Sequence, residues 1–322
     1  MQPPNYEDVL RARKQIAPYL PRTPLREYPA LNDLVGARVF IKHENHQPTC
    51  SFKVRGGINL ISQLSDDERT RGVIAASTGN HGQSVAYAAR LFGVGARIVV
   101  PEKANQGKVA SMQGMGAEVI FHGTVFDEAR HHCEALAEQQ SLRYVHSANE
   151  PLLVAGVATQ VAEMLDDQPD LEVIIVPVGG GSGASGACIA AGELNKNIQV
   201  IGVQSAASPA VYESWRQRRL IETANSTLAE GLATGAGFIL PLEILWKSLN
   251  DFVLVSDAQI MRAMFWMIER AHTLAEAAGA APLAAAFHLR DQLKGKGIGM
   301  ICSGGNATPQ QVQLALNSVN GE

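Results

Sequence analysis

Cysteine is scarce in this chain. Four occur among 322 residues, Cys50, Cys133, Cys188 and Cys302, and no two form a CxxC pair. That usage excludes a disulfide framework and cysteine-based zinc spacing, and it suits thiols kept reduced. Long apolar runs are missing as well: the apolar stretches are short and broken by glycine, so none could span a bilayer. Neither sign of charge dominates, since 27 Lys and Arg face 31 Asp and Glu for a net −4. A basic surface that neutralises phosphates does not follow from such a balance, so no nucleic-acid partner is expected. The opening MQPPNYEDVLRARKQ carries no apolar signal segment. A soluble cytoplasmic protein with no membrane partner is expected. Neither GxSxG nor HExxH occurs, and His131, His132 and Cys133 are adjacent on a predicted helix, where their side chains diverge. No metal ligands are assigned.

What the chain has in quantity is alternation. Short β-branched runs (39–42, 73–76, 96–100, 118–121, 144–146, 173–178, 200–203, 252–255, 299–302) interleave with helical patterns at 6–20, 82–91, 127–139, 152–165, 257–271 and 283–293. Strand-then-helix order predicts an α/β fold with parallel sheets covered by helices on both faces. Runs such as VIIVPV are apolar throughout, as strands buried on both sides are. The length allows roughly two domains. No linker separates two halves, so a smaller domain is expected to be inserted in a larger one. Residues 72–148 form the smaller domain, and residues 1–68 with 150–322 the larger.

Ligands of open parallel sheets sit at the carboxyl ends of strands, and four motifs fall at turns. Ser51 is read as the cap of a helix that puts Lys53 in its first turn. An ammonium is disfavoured there by the helix dipole, whereas a neutral or covalently engaged amine is not. An isolated lysine is far more often a solvent-facing one. Ser77-Thr78-Gly79-Asn80-His81 follows a strand and opens a helix, where free N–H groups make a seat for an anion; a plain capped turn is the blander account. Gly179-Gly180-Gly181-Ser182-Gly183 follows VIIVP and gives the strongest phosphate signal, because so many glycines cost conformational entropy that a structural turn would not require. Ser303, in Ser303-Gly304-Gly305-Asn306, closes another strand and alone reads as a common turn. The segment Ala275-Glu276-Ala277 follows no strand, and no chemistry is assigned to it.

The same glycine run contains GxGxxG at Gly181, Gly183 and Gly186, which raises a nicotinamide-dependent oxidoreductase. That reading needs an acid about twenty residues on, and the next strand closes on Gln204-Ser205.

The ordered set SFKxRG, STGNHG, GGGSG and SGGN resembles the fold-type-II pyridoxal-phosphate (PLP) enzymes, within them the threonine/serine dehydratase and serine racemase branch. The likeness runs from about Tyr6 to Asn306. It implies a tryptophan-synthase-β-like fold, PLP as cofactor, a small hydroxy amino acid as substrate and a homodimer. It implies that Lys53 carries the cofactor, that Phe52 packs on its ring and that Asn80 meets its phenolic oxygen. Gly179 to Gly183, with Ser182, would cradle the phosphate; Ser303 would face the ring nitrogen and Gly231 would line the site. Ser77, Thr78, Gly79, Asn80 and His81 would hold the substrate carboxylate, with Lys53 and Thr78 as the catalytic pair. The reaction implied is loss of the β-hydroxyl to give a 2-keto acid and ammonia. A different β-substituent (phenylserine, 3-hydroxyaspartate, a hydroxyectoine breakdown product), racemisation, β-replacement, and a PLP-carrying protein without catalysis stay open. Three departures stand out. Cys50 replaces a glycine often found before SFK and puts a thiol near the cofactor. Thr78 replaces a racemase serine. Gln204 and Ala210 stand where the family places acids that help bind a divalent cation.

Overall fold

The computed structural model describes residues 1–318. Ten strands build two sheets. The first runs β1 (Leu25–Glu27), β2 (Arg38–His43), β10 (Gly297–Cys302), β7 (Val173–Pro177), β8 (Gln199–Ser205), β9 (Asp251–Val255) in spatial order. All its pairings are parallel except β1 with β2. The second runs β5 (Glu118–Phe121), β4 (Ala96–Val100), β3 (Val73–Ala76), β6 (Arg143–Tyr144) and is wholly parallel. Every strand of the second sheet lies in sequence between β2 and β7. The expected α/β architecture of two mostly parallel, helix-flanked sheets is the one observed. No helix among the described residues is long and apolar enough to cross a membrane.

Departures from the expected elements have local causes. β6 occupies 143–144 and not 144–146, because His146 Nδ1 accepts the N–H groups of Ala148 and Asn149 (3.0 and 2.9 Å) and turns the chain. The first helix stops at Ile16, short of Leu20, two residues before Pro18. The helix expected at 283–293 instead runs Ala277–His288 through Pro282 and is followed by a short one at Arg290–Leu293. Its Ala and Gly residues let it lie against backbone: a side chain on Gly279 would start 2.5 Å from Gly304 O. β1 was not expected, being three residues with two of them exposed.

Two helices lie next to each other at the junction of the sheets. The helix Lys53–Ile61 is buried from Val54 to Ile61, and helix Pro151–Asp167 from Leu153 to Leu165. Glycine allows their approach: a side chain on Gly156 would begin 2.7 Å from Arg55 O. The carboxyl ends of β3, β7 and β10 all deliver their loops to this junction.

Candidate active site

Lys53 is fixed from both sides. Phe52 N–H donates to Ser303 O (3.0 Å), and Ser51 bridges to Gly304, so the residues before the helix are stitched to the end of β10. Ser51 is not the helix cap: Phe52 holds that position, and Ser51 Oγ accepts the Lys53 N–H at 3.4 Å. The Lys53 amine donates to Ser182 Oγ (2.8 Å) and Ser147 O (3.2 Å) and lies 5.3 Å from the Phe52 ring centroid. No carboxylate compensates its burial, which brings its pKa from 10.5 down to about 8. Two residues on, Arg55 points the other way into a buried set of four charges. It donates to both oxygens of Glu44 and of Glu163 (2.7–2.9 Å) and to Thr159 Oγ1 (3.1 Å). Lys42 completes the set through Glu163 Oε2 (2.7 Å) and Thr23 O (2.8 Å).

The turn after β3 faces Lys53. Ser77 Oγ accepts from Gly79 N (3.2 Å) and Gly82 N (2.9 Å), so the hydroxyl shapes the turn. Helix Asn80–Leu91 begins there, with Gly79 as its cap. The Thr78 hydroxyl is partly exposed and has no protein partner among the described residues. His81 turns its ring inward to Val145 O (2.9 Å); burial lowers its pKa to about 3, so the ring is neutral and the Nε2–H donates. Its Nδ1 is buried and unpartnered.

The loop after β7 fits a phosphate. Gly181 has φ +92°, and a side chain on it would meet Pro241 Cβ at 2.8 Å; one on Gly179 would collide with Gly231 O. Helix Ser182–Leu194 starts immediately, without a side-chain cap. From Gly179 to Ala184, no backbone N–H finds an acceptor among the described residues. Open N–H groups at a helix start, with an amine of lowered pKa hydrogen-bonded to the first helical residue, suit a phosphorylated carbonyl compound. Gly183 borders the Phe52 ring, which would lie 3.2 Å from a side chain placed there. Gly186 packs on Ala158. Gln204, where a ribose-binding acid would stand, is buried and accepts the Tyr212 N–H (3.0 Å) while its Nε2 is unpartnered. The glycine spacing thus serves helix packing and leaves the N–H groups of the turn open.

Ser303 is buried at the end of β10, and its hydroxyl has no protein partner among the described residues. Sequence reading missed Glu276. Its Oε1 accepts from Asn80 Nδ2 (2.7 Å), and Asn80 Oδ1 accepts from Asn306 Nδ2 (2.8 Å), so one chain of hydrogen bonds joins three separate motifs. The same oxygen lies 2.6 Å from where a Gly304 side chain would start and 3.6 Å from the corresponding point on Gly231. Burial raises the Glu276 pKa. The signal was present: Glu276 is the single ionisable residue between His272 and His288, in an alanine-rich stretch. The Cys50 thiol, expected near the cofactor, belongs to a solvent-exposed residue with φ +51°. The family glycine is explained by that left-handed backbone.

A partly buried amine of lowered pKa, a glycine loop with open N–H groups and a turn that opens a helix, between two mostly parallel sheets, define an enzyme that works through a phosphorylated aldehyde. The comparisons agree. Residues 16–304 match the family model described as pyridoxal-phosphate dependent enzyme. The L-threonine ammonia-lyase of Thermotoga maritima is 38% identical over 312 residues, covering 97% of this chain and 78% of that protein. The catabolic L-threonine dehydratase of Staphylococcus aureus is 38% identical over 304 residues, 93% of this chain and 88% of that one. The crystal structure of serine racemase from Dictyostelium discoideum superposes with a TM-score of 0.89 at 33% identity, covering 95% of this chain and 99% of that one. The chain belongs to the pyridoxal-phosphate dependent enzyme family.

Proposed function

We propose that the protein eliminates the β-hydroxyl of a small 3-hydroxy amino acid, threonine or serine first among them, to give a 2-keto acid and ammonia. It is a PLP-dependent lyase of the threonine/serine dehydratase kind. The observation that carries the proposal is the Lys53 amine, held between Ser147 O and Ser182 Oγ with its pKa lowered to about 8.

PLP, when bound, supplies the electron sink for bond breaking at Cα and Cβ. The loop Gly179–Gly183 would hold its phosphate and Lys53 its aldehyde carbon. Asn80 would meet its phenolic oxygen and Ser303 its ring nitrogen, with Phe52 and Gly231 lining the ring. A Lys53 amine that is substantially neutral near pH 8 takes the Cα proton without first losing one of its own. Ser182 and Ser147 keep its lone pair from wandering. Ser77 to His81 would seat the substrate carboxylate through backbone N–H groups, since the His81 ring is turned to Val145 and Ser77 Oγ is used by the turn. A neutral Ser303 would give the ring nitrogen no charged partner, which would limit the sink and favour prompt loss of the β-group.

The test is a panel of 3-hydroxy amino acids assayed for 2-keto acid and ammonia. Release from threonine or serine is expected; no release from any member refutes the reading. Borohydride reduction and peptide mapping should place the cofactor on Lys53. Racemisation is a second reading, favoured by the unpartnered Thr78 hydroxyl, and chiral analysis of the same mixtures should show it far slower than elimination. The family resemblance also leads us to propose a cytoplasmic homodimer, whose mass light scattering would measure.

A further inference from the structure

A second lysine reaches the turn that faces Lys53. Lys108 stands on the helix Gln106–Gly114 beside the four-stranded sheet, and its Nζ lies 3.9 Å from where a side chain on Gly79 would begin. Its side chain is 11% exposed, and it pairs with Glu230, 45% exposed, the residue before Gly231. The pair therefore reaches from the four-stranded half to the loop that borders Gly179.

Placement of this ammonium is costly without an anion. Gly79 caps the twelve-residue helix Asn80–Leu91, whose first turn presents N–H groups and the positive end of the dipole. A largely buried cation beside that end adds charge of the same sign and loses hydration. Glu230 offsets this from the solvent side only. Both charges also act on the buried Glu276, Lys108 drawing its pKa down and Glu230 pushing it up, so the pair lies within electrostatic range of the site.

We propose that Lys108 is a specificity-determining residue that reads the α-carboxylate of the substrate, and that Glu230 is its placeholder until that carboxylate arrives. This rests on the proposed seating of the carboxylate at Ser77 to His81. One carboxylate replaces another at one ammonium; no proton moves and no bond is made or broken. Free amino acids are thereby selected over amides and amines that share the same β-hydroxyl.

The holoenzyme tests this by calorimetry with 2-aminoisobutyrate, which has no Cα proton to lose, and with its amide. The wild type should bind the acid about ten-fold more tightly than the amide, the order of one charge-assisted hydrogen bond. Lys108→Met should reduce that preference several-fold, leaving the share that the backbone N–H groups supply, and Lys108→Arg should keep it. Glu230→Gln, which removes the competitor, should bind the acid more tightly than the wild type. A preference in Lys108→Met equal to that of the wild type overturns the proposal. So does restoration of wild-type affinity by the exchanged pair Lys108→Glu with Glu230→Lys, the behaviour of a purely structural clasp. Melting curves on each variant certify folding. If Lys108→Met lowers the acid preference but the wild type releases no keto acid from any 3-hydroxy amino acid, the reaction assignment falls and the role of Lys108 stands.

Discussion

The two sides of the helix Lys53–Ile61 are both polar, yet they are built on opposite principles. Lys53 and Arg55 are two residues apart, about 200° around the helix axis. Behind Arg55, Lys42, Glu44, Glu163 and Thr159 satisfy one another, with two cations against two anions. In front of Lys53, the Thr78 and Ser303 hydroxyls, His81 Nδ1 and the N–H groups of Gly179 to Ala184 have no protein partner among the described residues. The Thr78 hydroxyl is partly open to solvent, but His81 Nδ1 is buried; a buried polar group left unpaired costs about 1–3 kcal/mol, so it is not left so for stability. The saturated side is architecture; the unsaturated side is the one the proposed function assigns to a ligand.

Breaking that contrast at its centre should have the largest effect. Lys53→Ala should lower keto-acid formation by about a thousand-fold or more, since on the proposed function it removes both the cofactor anchor and the base. It should leave the melting temperature near that of the wild-type apoprotein, because the amine contributes no ion pair to the fold. Turnover retained in this variant would remove Lys53 from the mechanism.

The next test reads the amine directly. Competitive acetylation of the apoprotein, followed by peptide mapping, should give Lys53 a titration midpoint about 8, against 10.5 for an exposed lysine. The sign of the linkage follows. A folded-state pKa below the unfolded one means the unfolded chain binds more protons between those values, so this group makes the apoprotein more stable as pH rises from about 8 toward 10.5. A midpoint near 10.5 would place the amine in water and dissolve the contrast.

On the saturated side, the loss should appear as stability. Glu163→Gln removes one carboxylate from a buried set and leaves Arg55 and Lys42 under-compensated, at a cost of about 3 kcal/mol in urea unfolding. Burial alone would raise the Glu163 pKa, but its bonds to Arg55 and Lys42 outweigh it and hold the group below its ordinary value. The stability it provides is therefore present above the ordinary carboxylate range and disappears as pH falls through the lowered value. In the variant, that part of the acid limb should be missing.

The two sides differed in how far the sequence disclosed them. Strand-then-helix alternation sufficed for the sheets, because β3, β4 and β5 are short apolar or β-branched runs bounded by turns. The open loop after β7 was legible because it is built from backbone N–H groups, and glycine in such numbers has few other uses. Glu276 was not, because it reaches Asn80 only through the return of helix Ala277–His288 against Gly304, a packing that no local pattern encodes. The Arg55 network stayed hidden for the same reason: Lys42, Glu44, Arg55 and Glu163 share no periodicity and meet through three different elements. Lys108 reads in sequence as an ordinary helix-surface charge.

Cys50 sits on the seam between the two sides and offers the smallest and most local test. Its N–H donates to Gln47 O (2.7 Å) and its carbonyl accepts from Gly305 N (2.9 Å), so the turn is pinned to the loop of Ser303 and the residue is held at φ +51°. A left-handed conformation costs a residue with a Cβ about 1–2 kcal/mol, while glycine gives back roughly 0.5–1 kcal/mol through its freer unfolded chain. Cys50→Gly should therefore stabilise the protein by about 0.5 kcal/mol, a rise of about 1 °C in the melting midpoint. Cys50→Ala, which removes the thiol but keeps the Cβ, should not. If alanine stabilised as much as glycine, the effect would belong to the sulfur and the backbone account of this position would fail; if only glycine did, the turn that presents Lys53 is held in place against its own conformational preference by the hydrogen bonds on either side of it.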